Sequence, residues 1–296
     1  FSSKLTAQEQ EALTGLRAWL EADVKPVVND FWDRAEFPHE LLPAFHAHPV
    51  FGMQWEETKR FENSAVFRGW VALELARVDA SIATYVGVQN GLALGAVAVC
   101  GSPEQRAEWL PKLADGSVIG AFGLTEPLSG SDSAQGLRTT ATREGDEWVL
   151  NGEKRWIGNA TFSDITVIWA KDTADGQVKG FIVPTSSPGY AATKIERKQA
   201  LRIVQNADIT LRAVRVPESL RLQNANSFRD TAAVLRLTRA EVAWAAVGVA
   251  VGAYEAALAY TQERVQFGKP IASHQLVQQH LAEMMGNITA SIALCT

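Results

Sequence analysis

The sequence has few cysteines, few histidines and no concentrated positive charge. Two cysteines and five histidines among 296 residues exclude a disulfide framework, and the histidines lack a metal-binding spacing such as HExxH. The 28 Lys and Arg residues are outnumbered by 33 Asp and Glu residues, so the formal net charge is −5. Because nucleic-acid binding needs a basic surface, we expect a reduced, intracellular, metal-free protein without a nucleic-acid partner.

A long apolar run and an N-terminal signal segment are also missing. The most apolar stretch, Val242–Tyr254, has 13 residues between Glu241 and Glu255, whereas a membrane helix needs about 20. It therefore predicts a buried helix and no membrane span. No charged segment followed by an apolar one opens the chain. The chain begins at Phe1 and stops at Thr296 within an amphipathic pattern, and we expect both ends to be cuts.

The apolar residues, 47% of the chain, are enough to form cores, and their periodicity separates three blocks of an α+β protein. Residues 1–119 have helical spacing and predict an N-terminal all-α domain. Residues 120–225 alternate with a period of two and predict a middle β-barrel or sandwich domain. Residues 226–296 return to the helical period and predict the first two helices of a C-terminal four-helix bundle, whose second half is absent.

Local signals place the elements within these blocks. Helix starts are predicted at four hydroxyl residues: Thr6, Ser64, Ser102 and Ser273. Pro26 is expected to end the first helix, and the apolar run Ser81–Val99 predicts a buried one. Strands are predicted at Thr139–Arg143, Glu147–Leu150, Ile165–Ala170, Val178–Val183, Tyr190–Ile195 and Ile209–Val214.

Three segments carry residue types suited to ligand binding. Phe122–Pro127 and Ser129–Asp132 combine strand-end hydroxyls with a Gly-Ser loop, which either presents donors to a phosphate or polar heterocycle or forms an ordinary turn. Arg155–Asn159 places Trp156 near a strand end, where its ring either covers a planar ligand or packs in the core. Arg264–Ile271 puts cations at a helix–helix turn, where they either hold an anion or favour the helix C-terminus.

The order of these segments resembles the acyl-CoA dehydrogenase family of flavoproteins. A helical block precedes Thr-Glu-Pro and Gly-Ser-Asp on the first strands; Trp-Ile-x-Asn follows a hairpin, and Arg-x-Gln-Phe-Gly stands at a helical turn. The resemblance extends from about Leu5 to Thr296. Within the family, Ala76–Ser81 and Trp156–Phe162 are most similar to the glutaryl-CoA dehydrogenase branch and its plant peroxisomal short-chain acyl-CoA oxidase relatives.

The resemblance implies an FAD cofactor between the β domain and the C-terminal helices, with an acyl-CoA thioester against one flavin face. It implies that Thr125 hydrogen-bonds the pyrimidine side of the flavin. It also implies that Trp156 packs on the flavin face away from the substrate, with Ile157 and Gly158 along the flavin edge.

The same resemblance implies roles for the remaining site residues. Phe122 would line the acyl cavity, and Ser131 would serve the pyrophosphate and lie near the substrate. Arg239 would lie near the substrate and the catalytic base, where its charge favours a carboxylate. Three residues would reach the adenosine-diphosphate half of an FAD bound by a neighbouring subunit: Arg264, Phe267 and Gln275. Sharing of FAD between subunits implies a homotetramer built from dimers.

The catalytic base of the family has no matching residue in the sequence. Most members use a Glu in a Tyr-Glu-Gly-Thr segment after the last bundle helices. The isovaleryl and long-chain branches use the residue before the Arg that Arg239 matches, and here that residue is Thr238, which is not basic near pH 7. Glu255 and Glu241 are expected on the solvated surface. We therefore expect the base beyond Thr296.

Two further departures concern the substrate and the electron acceptor. Where glutaryl-CoA dehydrogenases bind the distal carboxylate, the chain has Ala76, Ala83 and Gly87, which predicts oxidation of a short unsubstituted acyl-CoA to trans-2-enoyl-CoA without decarboxylation. Gly158 stands where most dehydrogenases have a Thr, and the oxidase relatives share Gly. The alternatives are therefore a dehydrogenase that uses electron-transferring flavoprotein, an oxidase that uses O2, and a non-catalytic subunit that binds flavin or CoA.

The resemblance also implies a role in fatty acid β-oxidation. We expect a cytoplasmic location in a bacterium, and the mitochondrial matrix or the peroxisome in a eukaryote.

Overall fold

The computed structural model describes residues 4–296, which form two compact units. The first, named the helical unit, contains the chain up to Asn29 together with Asn63–Ala83 and Arg239–Thr296. The second, named the sheet unit, contains Asp30–Glu62 and Thr84–Thr238. Each unit draws on separate stretches of chain. The division into residues 1–119, 120–225 and 226–296 stays a prediction.

The first helix, α1 (Ala7–Trp19), begins at the predicted capping box. The Thr6 backbone N–H donates to Glu9 Oε2 at 2.8 Å, and the Glu9 N–H donates to Thr6 Oγ1 at 3.2 Å. The prediction that Pro26 ends this helix is wrong. A π-helical turn, Leu20–Val24, is followed directly by α2 (Lys25–Arg34). Because the wider turn shifts the hydrogen-bond register, the chain stays helical around a residue that lacks an N–H.

Three further helices form most of the helical unit: α4 (Ala65–Val78), α9 (Phe228–Glu263) and α10 (Gln275–Cys295). The predicted cap at Ser64 is confirmed, because its Oγ accepts from the Phe67 N–H at 3.1 Å. The predicted cap at Ser273 is wrong: His274 is the N-cap of α10 and makes no side-chain capping bond. A short hairpin of β8 (Val265–Gln266) and β9 (Lys269–Pro270) lies between α9 and α10.

The buried helical run predicted at residues 81–99 is confirmed. It comprises α5 (Ala80–Gly87), a π-helical segment (Val88–Leu94) and α6 (Gly95–Cys100). The π-helical segment places Gln89 in the core, where its amide bonds the Gly120 N–H at 2.7 Å and the Leu113 carbonyl at 2.8 Å. Shorter helices of the chain are α3 (Leu42–Ala47), α7 (Pro103–Asp115) and α8 (Ser133–Gly136); α7 begins at the predicted Ser102 capping box.

The middle of the chain forms a seven-stranded, mostly antiparallel sheet, as the alternation of residues predicts. Its strands are β1 (Gly120–Gly123), β2 (Thr140–Glu144), β3 (Glu147–Ile157), β4 (Ile165–Asp172), β5 (Val178–Pro184), β6 (Tyr190–Lys194) and β7 (Ala207–Pro217). The order is β1-β4-β2-β3-β7-β6, with β5 also paired to β4. β1 runs parallel to β4, and β3 pairs antiparallel with β2 and β7.

Two helical runs reach the length and hydropathy of a membrane-spanning helix. Ala80–Cys100 is 67% buried over its most apolar window, and Phe228–Glu263 is 17% buried. The first has the burial of an ordinary core helix. The apolar stretch of the second, Val242–Tyr254, lies between Glu241 and Glu255. The prediction that this stretch is buried is wrong, because only three of its 13 residues are buried. Length and composition do not by themselves separate a span from a core helix, so neither run indicates a span.

Candidate active site

The end of β1 and the loop after it carry the first group of predicted site residues. Phe122 is buried, and its ring lies 5.8 Å from the ring of Trp169. Thr125 is half-buried, and its carbonyl accepts the Arg155 N–H at 2.8 Å, so the loop is attached to β3. Ser131 is exposed farther along the loop. Two hydroxyl groups thus lie in a loop held on the edge of the sheet.

Trp156, near the end of β3, is turned outward and does not pack in the core. The pairing of β3 with β7 is irregular between Lys154 and Ile157, and Trp156 has a φ of 62° there, which is uncommon for a residue other than glycine. Its side chain is 52% exposed. The core-packing alternative for Trp156 is therefore excluded. Its indole is exposed beside the Thr125 loop, with the Arg155 guanidinium 5.7 Å from the ring centroid.

The backbone of Trp156 is held from behind by a loop that the sequence did not single out. Asn206 Nδ2 donates to the Trp156 carbonyl at 3.1 Å, and Lys198 Nζ donates to Asn206 Oδ1 at 2.7 Å. Lys198 Nζ also donates to the carbonyl of Val204. Burial, with the nearby charges of Lys194 and Arg202, lowers the pKa of Lys198 to about 8. A lysine in a loop gives no sequence signal for such a long-range contact.

The next two residues form a close-fitting edge beside Trp156. Ile157 is 3% exposed, so its side chain anchors the strand in the core. Gly158 is half-buried, and a Cβ atom placed on it would lie 3.2 Å from Val88 Cγ2. A larger residue at position 158 therefore requires Val88 to shift.

A buried ion pair lies directly below the Thr125 loop. Lys154 is 0% exposed and Glu126 is 5% exposed, and Lys154 Nζ lies 2.8 Å from Glu126 Oε1. Burial lowers the pKa of Lys154 to about 8 although Glu126 opposes the shift. The pKa of Glu126 is lowered, because the charge and hydrogen bonds from Lys154 and Thr139 outweigh burial. An inward-facing Lys within a strand was the available sequence signal, and it was missed.

The third predicted group lies in the helical unit, at the hairpin between α9 and α10. Arg264, Phe267 and Gln275 are exposed there. Phe267 is 93% exposed and has a φ of 55°, and the Ile271 N–H closes the turn on the Arg264 carbonyl at 2.8 Å. The hairpin thus presents an aromatic ring and a guanidinium group to the outside of the unit.

The chain is similar to known proteins over most of its length. Models of the acyl-CoA dehydrogenase N-terminal, middle and C-terminal domains match residues 6–117, 121–214 and 228–296. An acyl-CoA dehydrogenase of Bacillus subtilis is 32% identical over 283 residues, which is 94% of this chain and 74% of that protein. The chain belongs to the acyl-CoA dehydrogenase family.

Solved structures of this family agree in fold. A glutaryl-CoA dehydrogenase of Mycobacterium smegmatis in complex with FADH2 has a TM-score of 0.93 and 36% identity, covering 98% of this chain and 75% of that one. The butyryl-CoA dehydrogenase of Megasphaera elsdenii has a TM-score of 0.91 and 29% identity, covering 98% and 78%. The predicted fold class, enzyme class and relation to glutaryl-CoA dehydrogenases are therefore confirmed.

Acyl-CoA dehydrogenases are FAD-dependent oxidoreductases, so the predicted cofactor is confirmed at the level of the family. The residues of the sheet unit fit such a group. A flavin has a flat apolar face and a polar edge. The unit offers the exposed indole of Trp156, the hydroxyl of Thr125 in the loop bonded to the residue before it, and the hydroxyl of Ser131 farther along that loop. Gly158 keeps the adjoining edge free of a side chain.

The arginine expected near the catalytic base, and the two glutamates that could replace that base, lie on α9. Arg239 is exposed. Glu255 was expected to be solvated, but it is half-buried, and its oxygens accept from Arg17 at 3.1 Å and Arg77 at 2.8 Å. A carboxylate held by two guanidinium groups is a poor proton acceptor.

The prediction that Glu241 lies on the solvated surface is wrong. Glu241 is half-buried on α9. Burial raises its pKa to about 7, and the charge of Arg68 offsets only part of this shift. Single-sequence spacing did not predict the burial, because it depends on how α4 and α9 pack.

Proposed function

We propose that this protein is an FAD-dependent acyl-CoA dehydrogenase that converts a short, unsubstituted acyl-CoA to the trans-2-enoyl-CoA without decarboxylation. The main support is the open indole of Trp156, fixed beside the hydroxyl-bearing Thr125 loop. An exposed aromatic ring in a left-handed backbone conformation costs stability, which its use as a ligand platform explains.

Different residues of the chain are proposed to bind different parts of FAD and the substrate. The Trp156 ring would cover the face of FAD away from the substrate, and Thr125 would donate to the pyrimidine edge of the flavin. Ser131 serves the pyrophosphate and the nearby substrate, and Phe122 closes the acyl cavity. Arg239 favours the charged form of a nearby carboxylate base. A bound FAD would supply the acceptor for the hydride that leaves the β-carbon, and a base would take the α-proton.

The base itself stays a prediction, and we place it outside Phe1–Thr296. Among the residues described, Glu255 is occupied by two arginines and Thr238 has a hydroxyl of negligible basicity. Glu241 has a raised pKa, but it is half-buried in the helical unit beside the charge of Arg68. Within the described part of the chain, no contact connects it with the residues proposed to bind the substrate.

The proposed substrate class depends on the apolar residues expected around the far end of the acyl chain. Ala76, Ala83 and Gly87 occupy the positions at which the glutaryl-CoA branch binds a distal carboxylate. Ala76 is 3% exposed, and a carboxylate buried without a cation costs several kcal/mol. A methyl-terminated acyl chain carries no such cost. This supports the short unsubstituted substrate.

The electron acceptor is proposed to be electron-transferring flavoprotein. Gly158 favours one specific alternative, an oxidase, because no side-chain donor stands at this edge of the flavin. Stopped-flow reoxidation of the reduced protein distinguishes them. Slow return of oxidised flavin in air, with fast return on addition of electron-transferring flavoprotein, supports the dehydrogenase; fast return in air alone supports the oxidase.

The assembly is proposed to be a homotetramer. Arg264, Phe267 and Gln275 are exposed at one hairpin, where Phe267 is 93% exposed. A contact with the adenosine-diphosphate half of a neighbouring subunit's FAD gives these residues a role and covers the aromatic ring.

The substrate proposal is tested by comparing butyryl-CoA with glutaryl-CoA in the full-length protein, using an artificial electron acceptor and measuring CO2. We expect kcat/KM for butyryl-CoA to exceed that for glutaryl-CoA by at least about 100-fold, the factor for roughly 3 kcal/mol, and no CO2 release. Faster turnover of glutaryl-CoA, with CO2, would refute it.

A further inference from the structure

Lys154 and Glu126 form a buried network that reaches several backbone groups. Lys154 Nζ donates to the Leu124 carbonyl at 3.2 Å and to the Trp169 carbonyl on β4 at 2.7 Å, in addition to Glu126. Glu126 in turn accepts the Arg138 N–H at 2.6 Å. The ion pair therefore joins the loop after β1 to β3, to β4 and to the chain before β2.

Thr139 completes the binding of the Glu126 carboxylate. Its N–H donates to Glu126 Oε1 at 2.9 Å, and its hydroxyl donates to the same oxygen at 2.6 Å. With Lys154 and the Arg138 N–H, the carboxylate has four donors. A carboxylate so fully bonded has one position and one orientation.

Stability alone does not explain why charged groups occupy this place. Moving two ions out of water costs several kcal/mol each, and apolar residues of similar volume often stabilise a protein as well or better. An ion pair makes directional hydrogen bonds to particular backbone atoms, which apolar residues cannot make. The contacts here fall on both sides of one residue, because Lys154 holds the Leu124 carbonyl and the Glu126 side chain, which flank Thr125.

A further contact, made with Thr125 itself, comes from the same strand. The Arg155 N–H holds the Thr125 carbonyl at 2.8 Å, and Trp156 follows Arg155 directly. Three consecutive residues of β3 thus act on this region. Lys154 bonds the residues on either side of Thr125, Arg155 bonds the Thr125 carbonyl, and Trp156 presents the indole.

We propose that Lys154 and Glu126 are positioning residues that set Thr125 at a fixed place relative to the Trp156 indole, so that FAD is bound in one orientation. This inference rests on the proposed function, because it assumes that Thr125 and Trp156 contact FAD. The competing explanation is that the pair only stabilises the sheet unit.

The sheet unit contains a matched control for that explanation. Lys179 and Asp172 form another ion pair, at 2.5 Å, with side chains 11% and 6% exposed. It lies on the β4–β5 hairpin, and its further partners include Asp175, the Ala174 N–H and the ring of Trp148 at the far end of β3, 5.7 Å from Lys179 Nζ. Its removal disturbs the same sheet but leaves the contacts of Lys154 and Glu126 with the Thr125 loop in place.

The experiment compares the double variants E126Q/K154M and D172N/K179M in the full-length protein. Double replacement avoids leaving one buried charge alone. We measure the melting temperature of the apoprotein, the Kd for FAD, and the midpoint potential and visible spectrum of bound flavin. Both variants are expected to lower the melting temperature. E126Q/K154M is expected to raise the Kd for FAD by about tenfold or more and to shift the potential and spectrum, whereas D172N/K179M leaves all three near wild type.

A milder variant keeps the test decisive if E126Q/K154M does not fold. Thr139→Val removes one hydrogen bond to Glu126 and keeps the Lys154–Glu126 ion pair. We expect a rise in the Kd for FAD of about two- to fivefold, with a change in the flavin spectrum. Unchanged FAD binding, potential and spectrum in the folded variants would overturn the inference while leaving the proposed function intact. Failure of the wild-type protein to bind FAD would overturn both.

Discussion

Burial shifts the ionisation of single side chains in opposite directions in the two units. In the sheet unit it lowers the pKa of Lys154 to about 8, and in the helical unit it raises the pKa of Glu241 to about 7. The cause is the same, because a low-dielectric environment disfavours whichever form is charged. Glu126 relieves the first cost through a direct contact. The charge of Arg68 opposes the second shift.

Glu241 makes the stability of the helical unit dependent on pH. Its folded pKa of about 7 exceeds the ordinary value of 4.5, so the folded state holds the proton more tightly. The stabilisation is complete below pH about 4.5 and is lost as the pH rises through 7. Glu241→Gln should therefore have a melting temperature that falls several degrees less than that of wild type between pH 5 and 8.

The control for this prediction is Glu11→Gln, at an exposed carboxylate on α1 of the same unit. Its melting temperature should follow that of wild type across the pH range. Thermal unfolding in buffers of matched ionic strength provides the measurement. Parallel curves for wild type and Glu241→Gln would contradict the assignment of the pH dependence to this carboxyl.

Sequence reasoning reached single residues where the signal is local. The position of Trp156 near a strand end is confirmed, because an aromatic residue with a nearby Gly is visible in the sequence. Its support from Asn206 and Lys198 could not be predicted, since Asn206 lies 50 positions away in the chain and meets it only through the fold. Glu241 was assigned to the surface for the same reason.

At the scale of elements, α4 and α9 pack closely along a glycine-bearing face. Gly248 faces the Leu73 carbonyl and Gly252 faces the Arg77 carbonyl, and a Cβ atom on either glycine would overlap that oxygen. Trp244 similarly covers Gly69. Glycine lets two helix backbones approach more closely than any larger residue would allow. These positions therefore set the distance between α4 and α9.

Gly252→Ala should therefore destabilise the protein by about 1–3 kcal/mol, because α4 must move away to admit the methyl group. Gly286→Ala on α10 is the matched control, since no atom lies within 4 Å of a Cβ atom placed there. In the control, the better helix propensity of Ala should stabilise by up to about 1 kcal/mol. Chemical denaturation measures both, and equal effects of the two substitutions would contradict the close packing.

Element boundaries were predictable where capping chemistry is local and not where the backbone departs from the α-helix. The capping boxes at Thr6 and Ser102 were correct because all their partners lie within four residues. Pro26 was misjudged because the π-helical turn before it has no sequence marker. Ser273 was a plausible cap, but the hairpin places His274 at that position instead.

At the scale of the whole molecule, the order of motifs predicted the family before any comparison. Single motifs have ordinary structural explanations, but four motifs in a fixed order along 296 residues are improbable by chance. The ion pair below the Thr125 loop could not be predicted in this way. Its two members are 28 positions apart, and only the folded sheet brings Lys154 on β3 to the loop after β1 and to the Trp169 carbonyl on β4.

The central claim is that FAD binds against the indole of Trp156 in this protein. It is tested most directly by titrating FAD into the full-length apoprotein while recording tryptophan emission and melting temperature, with Trp156→Phe as the comparison. We predict saturable quenching and a rise in melting temperature for wild type, with less quenching and about tenfold weaker binding in the variant. FAD that neither quenches emission nor raises the melting temperature of the wild-type protein would contradict the account.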